Sequence, residues 1–467
     1  MRIPRLLRAG ASLMALAAVA GPVLSTPVAA QTTEELLELI RKQAAEIEAM
    51  RARLEALERQ NAAAPAAAPA QAEAPAQAPA SAPAPASAPA PADGPVVKWP
   101  GGPEIASADG RFSARLQGRV LADYWAIASD TDGVDYPSGS TLREVRIGMT
   151  GKLGADWAYK MEADFAGDKV TVKDAYIRYL GLPGWTLTIG NQKPVFSLDH
   201  MTGQQHTMLM ERSLPVVFGF SESLGIGLAT AGDNWSLAFT AFGETPGTEL
   251  DGDEGYGIAA RATVAPVLRD SMVVHLGASG HHKKLTDDQT LRIQQRPEVR
   301  IFDTRLVDTG ALPAEGTTAA GVEFLGIFGP FTLQTEYMRN WADYRGLASQ
   351  TYEGAYVQAG WVLTGEMRPY NAATGVASRV IPASPLGEGG WGALELAARF
   401  STLDLNDDLV FGGSEDNFAL GLNWHPNRYT RLMVNWVHFN AKGTAANPYG
   451  RPDNKGNAFG VRAQVDW

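Results

Sequence analysis

The sequence predicts an all-β fold, a 16-stranded antiparallel transmembrane β-barrel preceded by a short α-helical coiled coil and an Ala/Pro-rich linker. From Gly110 to the C-terminus, apolar and polar residues alternate with a period of two, as in strands whose two faces meet lipid and water. Short turns alternate with long polar loops, and aromatic residues lie at strand ends. These two features favour a membrane barrel over a soluble β-sandwich.

The composition argues against several classes of protein. No segment beyond the N-terminus approaches the ~20 consecutive apolar residues that a membrane helix needs. The 467 residues contain no cysteine, which excludes a disulfide framework, a thiol nucleophile and a thiolate metal site. We also expect no metal and no cofactor. The net charge of -11 argues against nucleic acid as a partner.

Residues 1–30 have the pattern of a secretory signal peptide. Arginines provide a positive start, residues 13–20 form a short apolar core, and small residues precede a cleavage site before Gln31. An N-terminal anchor helix is the alternative, but the apolar run is short and Pro22 and Pro27 follow it.

Residues 31–60 are predicted to form a periplasmic coiled-coil segment, and residues 61–95 a linker to a barrel at 96–467. In the coiled coil, apolar residues recur at alternating three- and four-residue steps with one break at polar Gln43, at Leu36, Ile40, Ile47, Met50, Leu54 and Leu57. A lone amphipathic helix is the alternative. The linker is almost wholly alanine and proline, which favours polyproline II and a reach of roughly 90–100 Å at ~3.1 Å per residue.

The alternating part of the chain divides into sixteen segments. The predicted strands lie near 111–127, 141–153, 156–166, 171–180, 185–192, 224–230, 234–242, 257–264, 271–283, 318–326, 331–341, 353–364, 391–403, 416–424, 430–440 and 457–467. Long loops are predicted near 128–140, 191–223, 243–256, 284–317, 342–352, 404–415 and 441–456. An even number of strands puts both barrel ends on one side, which we expect to be the periplasm. The connection 365–390 is an exception, because it is long where a short turn is expected.

The barrel region resembles the phosphate-selective porin O/P family from about Arg111 to Trp467. The most specific match runs from Gly190-Asn191-Gln192-Lys193 through Phe196-Ser197-Leu198 to Met210-Glu211-Arg212-Ser213. The resemblance implies a sixteen-stranded, trimeric outer-membrane porin with a periplasmic N-terminal coiled coil. It also implies that the third loop narrows the pore. The fifth loop and a long periplasmic turn would enter the barrel as well, which would account for residues 365–390.

Two departures from the family concern its phosphate-binding residues. The phosphate-specific members have a lysine twelve residues before the arginine of the third loop. Arg212 is present here, but the earlier position is His200. Those members also have arginines at alternate positions in the fifth loop, where this chain has Arg296 between Gln294 and Glu298.

The candidate pore-lining and anion-binding residues are basic. Arginine has a permanent charge and a planar fork that can hold phosphate or carboxylate oxygens. The candidates are Arg115, Arg119, Arg146, Lys152, Lys160, Arg178, His200, Arg212, Arg292, Arg296, Arg300 and Arg305. The alternative is that the wall cations pair across strands with acidic neighbours, at Glu144, Glu162, Asp164 and Asp174.

His200 replaces a permanent charge with one that titrates near roughly pH 6.5. We therefore expect weaker phosphate affinity than in the lysine-bearing members, and anion conductance that rises as the pH falls. The alternative is that His200 only packs the loop against the wall.

The expected function is passive diffusion of small anions, with phosphate or related oxyanions implied by the resemblance. One alternative is a general or carboxylate-permeable porin without phosphate specificity. Another is a structural barrel that tethers the outer membrane to the cell wall through residues 31–94. We expect a homotrimer in contact with outer-membrane lipid, and no enzymatic activity, since no spacing of Ser, His and acidic residues indicates a catalytic site.

Overall fold

The computed structural model describes residues 94–247, 252–443 and 453–467. The predicted signal peptide, the coiled coil and most of the linker lie outside the described residues. In the described parts of the chain, no helix has the length and apolar character that a membrane crossing requires.

Sixteen long antiparallel strands close into a barrel, because the last strand pairs with the first over Gly456↔Ser129 to Asp466↔Arg119. The strands are β1 Phe112–Ser129, β2 Gly139–Leu153, β3 Trp157–Asp164, β4 Thr171–Leu182, β5 Trp185–Gln192, β6 Ser223–Ala231, β7 Trp235–Phe242, β8 Tyr256–Arg269, β9 Met272–Lys284, β10 Leu312–Phe328, β11 Phe331–Tyr344, β12 Gln350–Val362, β13 Ala393–Asp407, β14 Val410–His425, β15 Thr430–Lys442 and β16 Asp453–Asp466. The predicted fold class is confirmed.

The predicted strands all exist, and their observed ends differ for local reasons. The predicted long loop 404–415 is wrong, because β13 and β14 continue to a two-residue connection after the pair Asp407↔Val410. The turn between the strands predicted near 257–264 and 271–283 is also shorter than expected. Proline lacks a ladder donor, and the register shifts between Val264 and Val267. Pairing then resumes, so β8 extends to Arg269.

Successive side chains point alternately to the outer and inner faces of the wall, as predicted. Outward-facing Leu116, Ile147 and Met161 are 43%, 52% and 58% exposed, as expected for a wall that lipid covers. Inward-facing Arg119 and Glu144 are almost fully buried. The polar inner face is therefore largely covered by other parts of the chain.

A short hairpin, Val96–Lys98 with Glu104–Ala106, continues the sheet beside β1 where β16 ends. It pairs with the start of β1, for example Ala106 with Ser113, beyond the point where β16 ends. The Trp467 indole lies over Gly118, where an added Cβ would come within 2.0 Å of the ring. Gly118 therefore leaves the space in which the terminal indole rests.

Three connections enter the barrel, as the family resemblance implies. We call them loop 3 (193–222), loop 5 (285–311) and the inserted turn (363–392). Their short elements are helix Leu198–Met201, 3-10 helices Gln204–His206 and Leu214–Phe218, and strands Thr290–Leu291, Gln294–Gln295, Val307–Asp308, Tyr370–Asn371 and Val376–Ala377. Apolar loop side chains such as Met210 and Leu214 pack against the wall from β10 round to β1. The remaining space is bounded by the inner face of β1 to β8.

The two ends of the barrel differ. We call them the short-turn end, which carries both Phe112 and Trp467, and the long-loop end, which carries loops 3 and 5. Both barrel termini therefore lie at one end, as an even number of strands requires.

Candidate functional site

The start of loop 3 is held by a carboxylate of the wall. Glu336 on β11 accepts hydrogen bonds from the backbone N–H groups of Leu198 and Asp199 at 2.8 and 2.7 Å. The Tyr356 hydroxyl of β12 donates to the same carboxylate at 2.6 Å. The first helical turn of loop 3 is thus fixed to the wall by its otherwise unpaired N–H groups.

The middle of loop 3 is held by arginines from two parts of the wall. Glu211 accepts from Arg143 Nε at 2.7 Å and from Arg462 Nη2 at 2.9 Å. Arg462 also donates to Asp123 at 2.7 Å. Burial opposes ionisation of Glu211, but Arg143 and Arg462 lower its pKa to about 2. The carboxylate is therefore charged, and the clamp intact, at neutral pH.

Loops 3 and 5 share another wall arginine. Arg399 on β13 donates to the carbonyl oxygen of Glu211 at 2.9 Å and to the Glu298 carboxylate at 2.5 Å. Glu298 has a left-handed backbone, with a φ of 56°, and also accepts from the Ser401 hydroxyl. Its side chain thus points toward the wall and fixes loop 5 beside loop 3.

Two cavities lie inside the barrel along β1 to β8. One, of about 430 Å³, lies toward the long-loop end. The other, of about 370 Å³, lies toward the short-turn end. Both are lined by Arg119, Arg146, Lys193, Gly203 and Glu222. We infer that these shared residues surround the narrowest part of one passage.

The wall cations of this passage are paired with carboxylates. Arg119 contacts Glu144 at 2.8 Å, and Arg146 contacts the same carboxylate at 2.8 Å. Further contacts join Arg146 to Glu162 and Asp164 at 2.9 and 3.1 Å, and Lys160 to Asp174 at 2.6 Å. For these three predicted residues, the cross-strand alternative therefore describes the structure. They carry little uncompensated charge.

The loop cations of the passage have no such partners. Lys193 donates to the carbonyl oxygen of His200 at 3.1 Å, and Arg212 donates to those of Asp199 and Thr202 at 2.9 and 2.6 Å. Among the described residues, neither Lys193 nor Arg212 has a carboxylate within 4.0 Å. Both line the larger cavity. Neither cation is therefore neutralised by an ion pair, although Glu222, which lines both cavities, attracts Lys193 from beyond 4.0 Å.

Two further cations line the passage, one on each side of Lys193 and Arg212. Arg300 of loop 5 lines only the larger cavity, and the neighbouring Arg143 and then burial lower its pKa to about 10. It remains charged at neutral pH. Arg178 of β4 lines only the smaller cavity, with its guanidinium 4.7 Å from the centre of the Tyr176 ring. Within the described residues, neither has a carboxylate partner within 4.0 Å.

His200 does not titrate where the sequence predicts. It is 7% exposed, and burial, then Lys193 and Arg212, lower its pKa well below 6.5. The imidazole is therefore neutral across the physiological range. The expectation of a charge change near pH 6.5 is wrong, because the sequence alone does not reveal that the imidazole is buried beside two cations. His200 both lines the cavity and packs against Gly219.

The structure places the remaining candidates away from the uncompensated charge. Arg296 lines the larger cavity but pairs with Asp303. The other four lie outside the lining of both cavities. Arg115 lines a separate recess at the short-turn end, and Lys152 is exposed at that end. In loop 5, Arg292 pairs with Asp308 and Arg305 donates to the carbonyl oxygen of Asp303.

Two important residues were not among the predicted candidates. Lys193 follows β5 directly, and its place beside His200 depends on the fold of loop 3. Strict alternation puts Arg143 on the outer face beside inward-facing Glu144. A bulge in β2, where Leu121 pairs with Glu144 and Ala122 with Leu142, turns Arg143 inward.

Comparison with known proteins agrees with this architecture. The family model of phosphate-selective porin O and P matches residues 115–467. The chain belongs to this family. Fold and family together point to an outer-membrane channel rather than an enzyme.

Two relatives match most of the chain. An uncharacterized protein of Caulobacter vibrioides is 34% identical over 99% of this chain and 95% of its own length. Porin O of Pseudomonas aeruginosa is 25% identical over 79% of this chain and 92% of its own. Among solved structures, a loop-deletion mutant of OmpT, an outer membrane protein of Vibrio cholerae, has a TM-score of 0.50 at 10% identity. The alignment covers 76% of this chain and all of that one, which supports the fold alone.

We predict that Arg462→Gln loosens loop 3. Removing this cation leaves Asp123 without its buried ion pair and Glu211 with Arg143 alone, which should lower the free energy of unfolding by about 3–5 kcal/mol. Urea titration should show an earlier midpoint, and bilayer recordings a larger single-channel conductance. The exposed Arg269→Gln is the control. Wild-type midpoint and conductance in Arg462→Gln would show that the clamp does not hold the loop.

We also predict a loss of anion preference at alkaline pH. Burial, and then Arg212, lower the pKa of Lys193 to about 8, so its charge is present below that pH and lost above it. The preference for chloride over potassium should fall between about pH 7 and pH 9 in bilayer recordings. Lys193→Arg keeps the charge throughout and should remove the change. The same fall in Lys193→Arg would assign it to another group.

Proposed function

We propose that this porin is a channel for passive diffusion of small anions across the outer membrane. The observation that carries the proposal is the sequence of cations without carboxylate partners along the passage. Arg300 lines the long-loop half, Arg212 and Lys193 lie beside the narrow part, and Arg178 lines the short-turn half. Fixed charge at a constriction selects ions of the opposite sign.

The local charge supports an anion path although the whole chain is acidic. The net charge is -11, yet eight lysine and arginine side chains and five carboxylates line the larger cavity. Several of these groups cancel in pairs, and the remaining positive charge belongs mainly to loops 3 and 5. In a narrow, partly dehydrated passage, such nearby charges act more strongly than distant ones on the outer surface.

Phosphate and related oxyanions are the permeants that the family description suggests. The Lys193 amine reaches the backbone of His200, so a lysine charge lies close to the position where phosphate-specific members carry one. A neutral His200 nevertheless adds no charge of its own. We therefore propose that oxyanions pass, with weaker retention than in members with lysine at this position.

A general or carboxylate-permeable channel is the second candidate. The contacts of loop 5 favour it, because Glu298 bonds to the wall and Arg292 pairs with Asp308. Only Arg300 of this loop presents an uncompensated cation to the larger cavity. Such an arrangement attracts anions in general and offers few donors that would recognise phosphate in particular.

The setting of the channel is also a proposal. We place the long-loop end outside the cell and the short-turn end in the periplasm, in the usual orientation of outer-membrane barrels. The outward belt of Leu116, Ile147 and Met161 suits contact with lipid. A homotrimer is suggested by the resemblance to trimeric porins. Contact of residues 31–94 with the cell wall, including a tethering role, remains a prediction outside the described residues.

Removing an unpaired loop cation should weaken anion preference more than removing a remote one. We expect Lys193→Gln and Arg212→Gln each to lower the chloride-to-potassium permeability ratio several-fold at about 0.1 M salt, because both charges lie beside the narrow part. Lys152→Gln removes the same charge at the exposed short-turn end and should have little effect. Equal effects of all three changes would refute a role for the loop position.

His200→Lys should strengthen phosphate retention. The substitution adds a third cation beside Lys193 and Arg212, where a phosphate could receive several charge-assisted hydrogen bonds. Phosphate should then block the chloride current at concentrations about tenfold lower than in the wild type. His200→Gln, which stays neutral, is the control. Unchanged block in His200→Lys would mean that phosphate does not stop at this position.

A further inference from the structure

A second basic space lies at the short-turn end, apart from the passage. This recess of about 280 Å³ has Arg115, His206, Arg379, Ile381, Arg428 and Trp467 in its lining. It shares none of these residues with the lining of the two passage cavities. The short helix Gln204–His206 lies between them, since Gln205 lines the passage and His206 lines the recess.

The recess contains guanidinium groups that make no hydrogen bond or ion pair within the described part of the protein. Among the described residues, the side chains of Arg115 and Arg428 make no hydrogen bond or ion pair. Arg379 differs, because it pairs with Asp466 and donates to the carbonyl oxygen of Arg428. Glu104 lies opposite Arg115 in the strand register without an ion pair within 4.0 Å. Within the described ranges, the guanidinium groups of Arg115 and Arg428 therefore keep all of their N–H donors free. The carboxylate in the lining of the recess, that of Asp466, is already paired with Arg379.

The same recess presents apolar surface next to these donors. Trp467 is 37% exposed and Ile381 is 49% exposed. The Arg428 guanidinium lies 5.5 Å from the centre of the Tyr429 ring. The hairpin loop closes one side, with Arg428 4.0 Å from the position of a Cβ at Gly101. A carboxylate carried on an aliphatic or sugar body fits this combination better than a bare inorganic ion, which would leave the apolar faces unused.

We propose that this recess binds the peptide carboxylates of the cell wall. The inference rests on the proposed orientation, in which the short-turn end faces the periplasm and the wall polymer. The carboxylate would lie between Arg115 and Arg428, and the attached aliphatic chain or sugar against Trp467 and Ile381. The hairpin beside the recess is also the point at which the N-terminal linker joins the barrel. A contact here would anchor the barrel itself, independently of residues 31–94.

The test is calorimetric titration of the detergent-solubilised full chain with a soluble disaccharide-tetrapeptide of the cell wall. We expect saturable binding that Arg115→Gln and Arg428→Gln each weaken about tenfold or more, the effect of losing charge-assisted hydrogen bonds. The matched control is Arg269→Gln, an exposed arginine on another short turn, which should bind as the wild type does. The same glycopeptide with amidated carboxylates should bind at least about tenfold more weakly.

Three outcomes would overturn the proposal. They are the absence of glycopeptide binding, equal binding of the amidated glycopeptide, and inorganic phosphate binding as tightly with the same sensitivity to Arg428→Gln. Bilayer recordings separate this inference from the proposed transport function. Arg428→Gln should conduct and select ions as the wild type does, so a failure of glycopeptide binding leaves the anion channel standing. A wild-type channel without anion preference would instead refute the transport proposal.

Discussion

The Glu211 clamp is the interaction on which the passage depends. Arg143 and Arg462 come from strands at opposite ends of the sequence, β2 and β16, and they meet on one carboxylate of loop 3. Because β16 pairs with β1 only when the barrel is closed, this site exists only in the complete fold. The clamp holds loop 3 against the β10-to-β1 side of the wall. The open space, and hence the route of any permeant, is thereby confined to the inner face of β1 to β8.

With loop 3 in place, the cations of the wall are paired with carboxylates and those of the loop are not. The wall cations Arg119 and Arg146 neutralise the acidic inner face of β2 and β3. The loop cations Lys193 and Arg212 donate to backbone carbonyl oxygens, which carry no net charge. A lysine or arginine held in this way has a fixed position and carries its positive charge at neutral pH. The loops therefore supply the electrostatic character of the passage, and the wall supplies its shape.

The sequence predicts the barrel well because each strand's alternation reports only whether a side chain faces lipid or lumen. It predicts the site less well, because partners within the lumen come from distant segments. Arg143 is turned inward by a bulge that a strict period of two does not reveal. His200 is a recognisable loop residue, but its burial beside Lys193 emerges only when the loop folds. The choice between a charged wall and a paired wall, open in the sequence, required the distances among Arg146, Glu144 and Glu162.

The central claim is that unpaired loop cations make this an anion channel. The most direct test is the zero-current potential of the wild-type channel in a planar bilayer with a potassium chloride gradient at neutral pH. The account predicts the sign given by chloride permeating faster than potassium, and a larger magnitude at low salt, where the fixed charges are less screened. A potential of the opposite sign, or one near zero at every salt concentration, would contradict it.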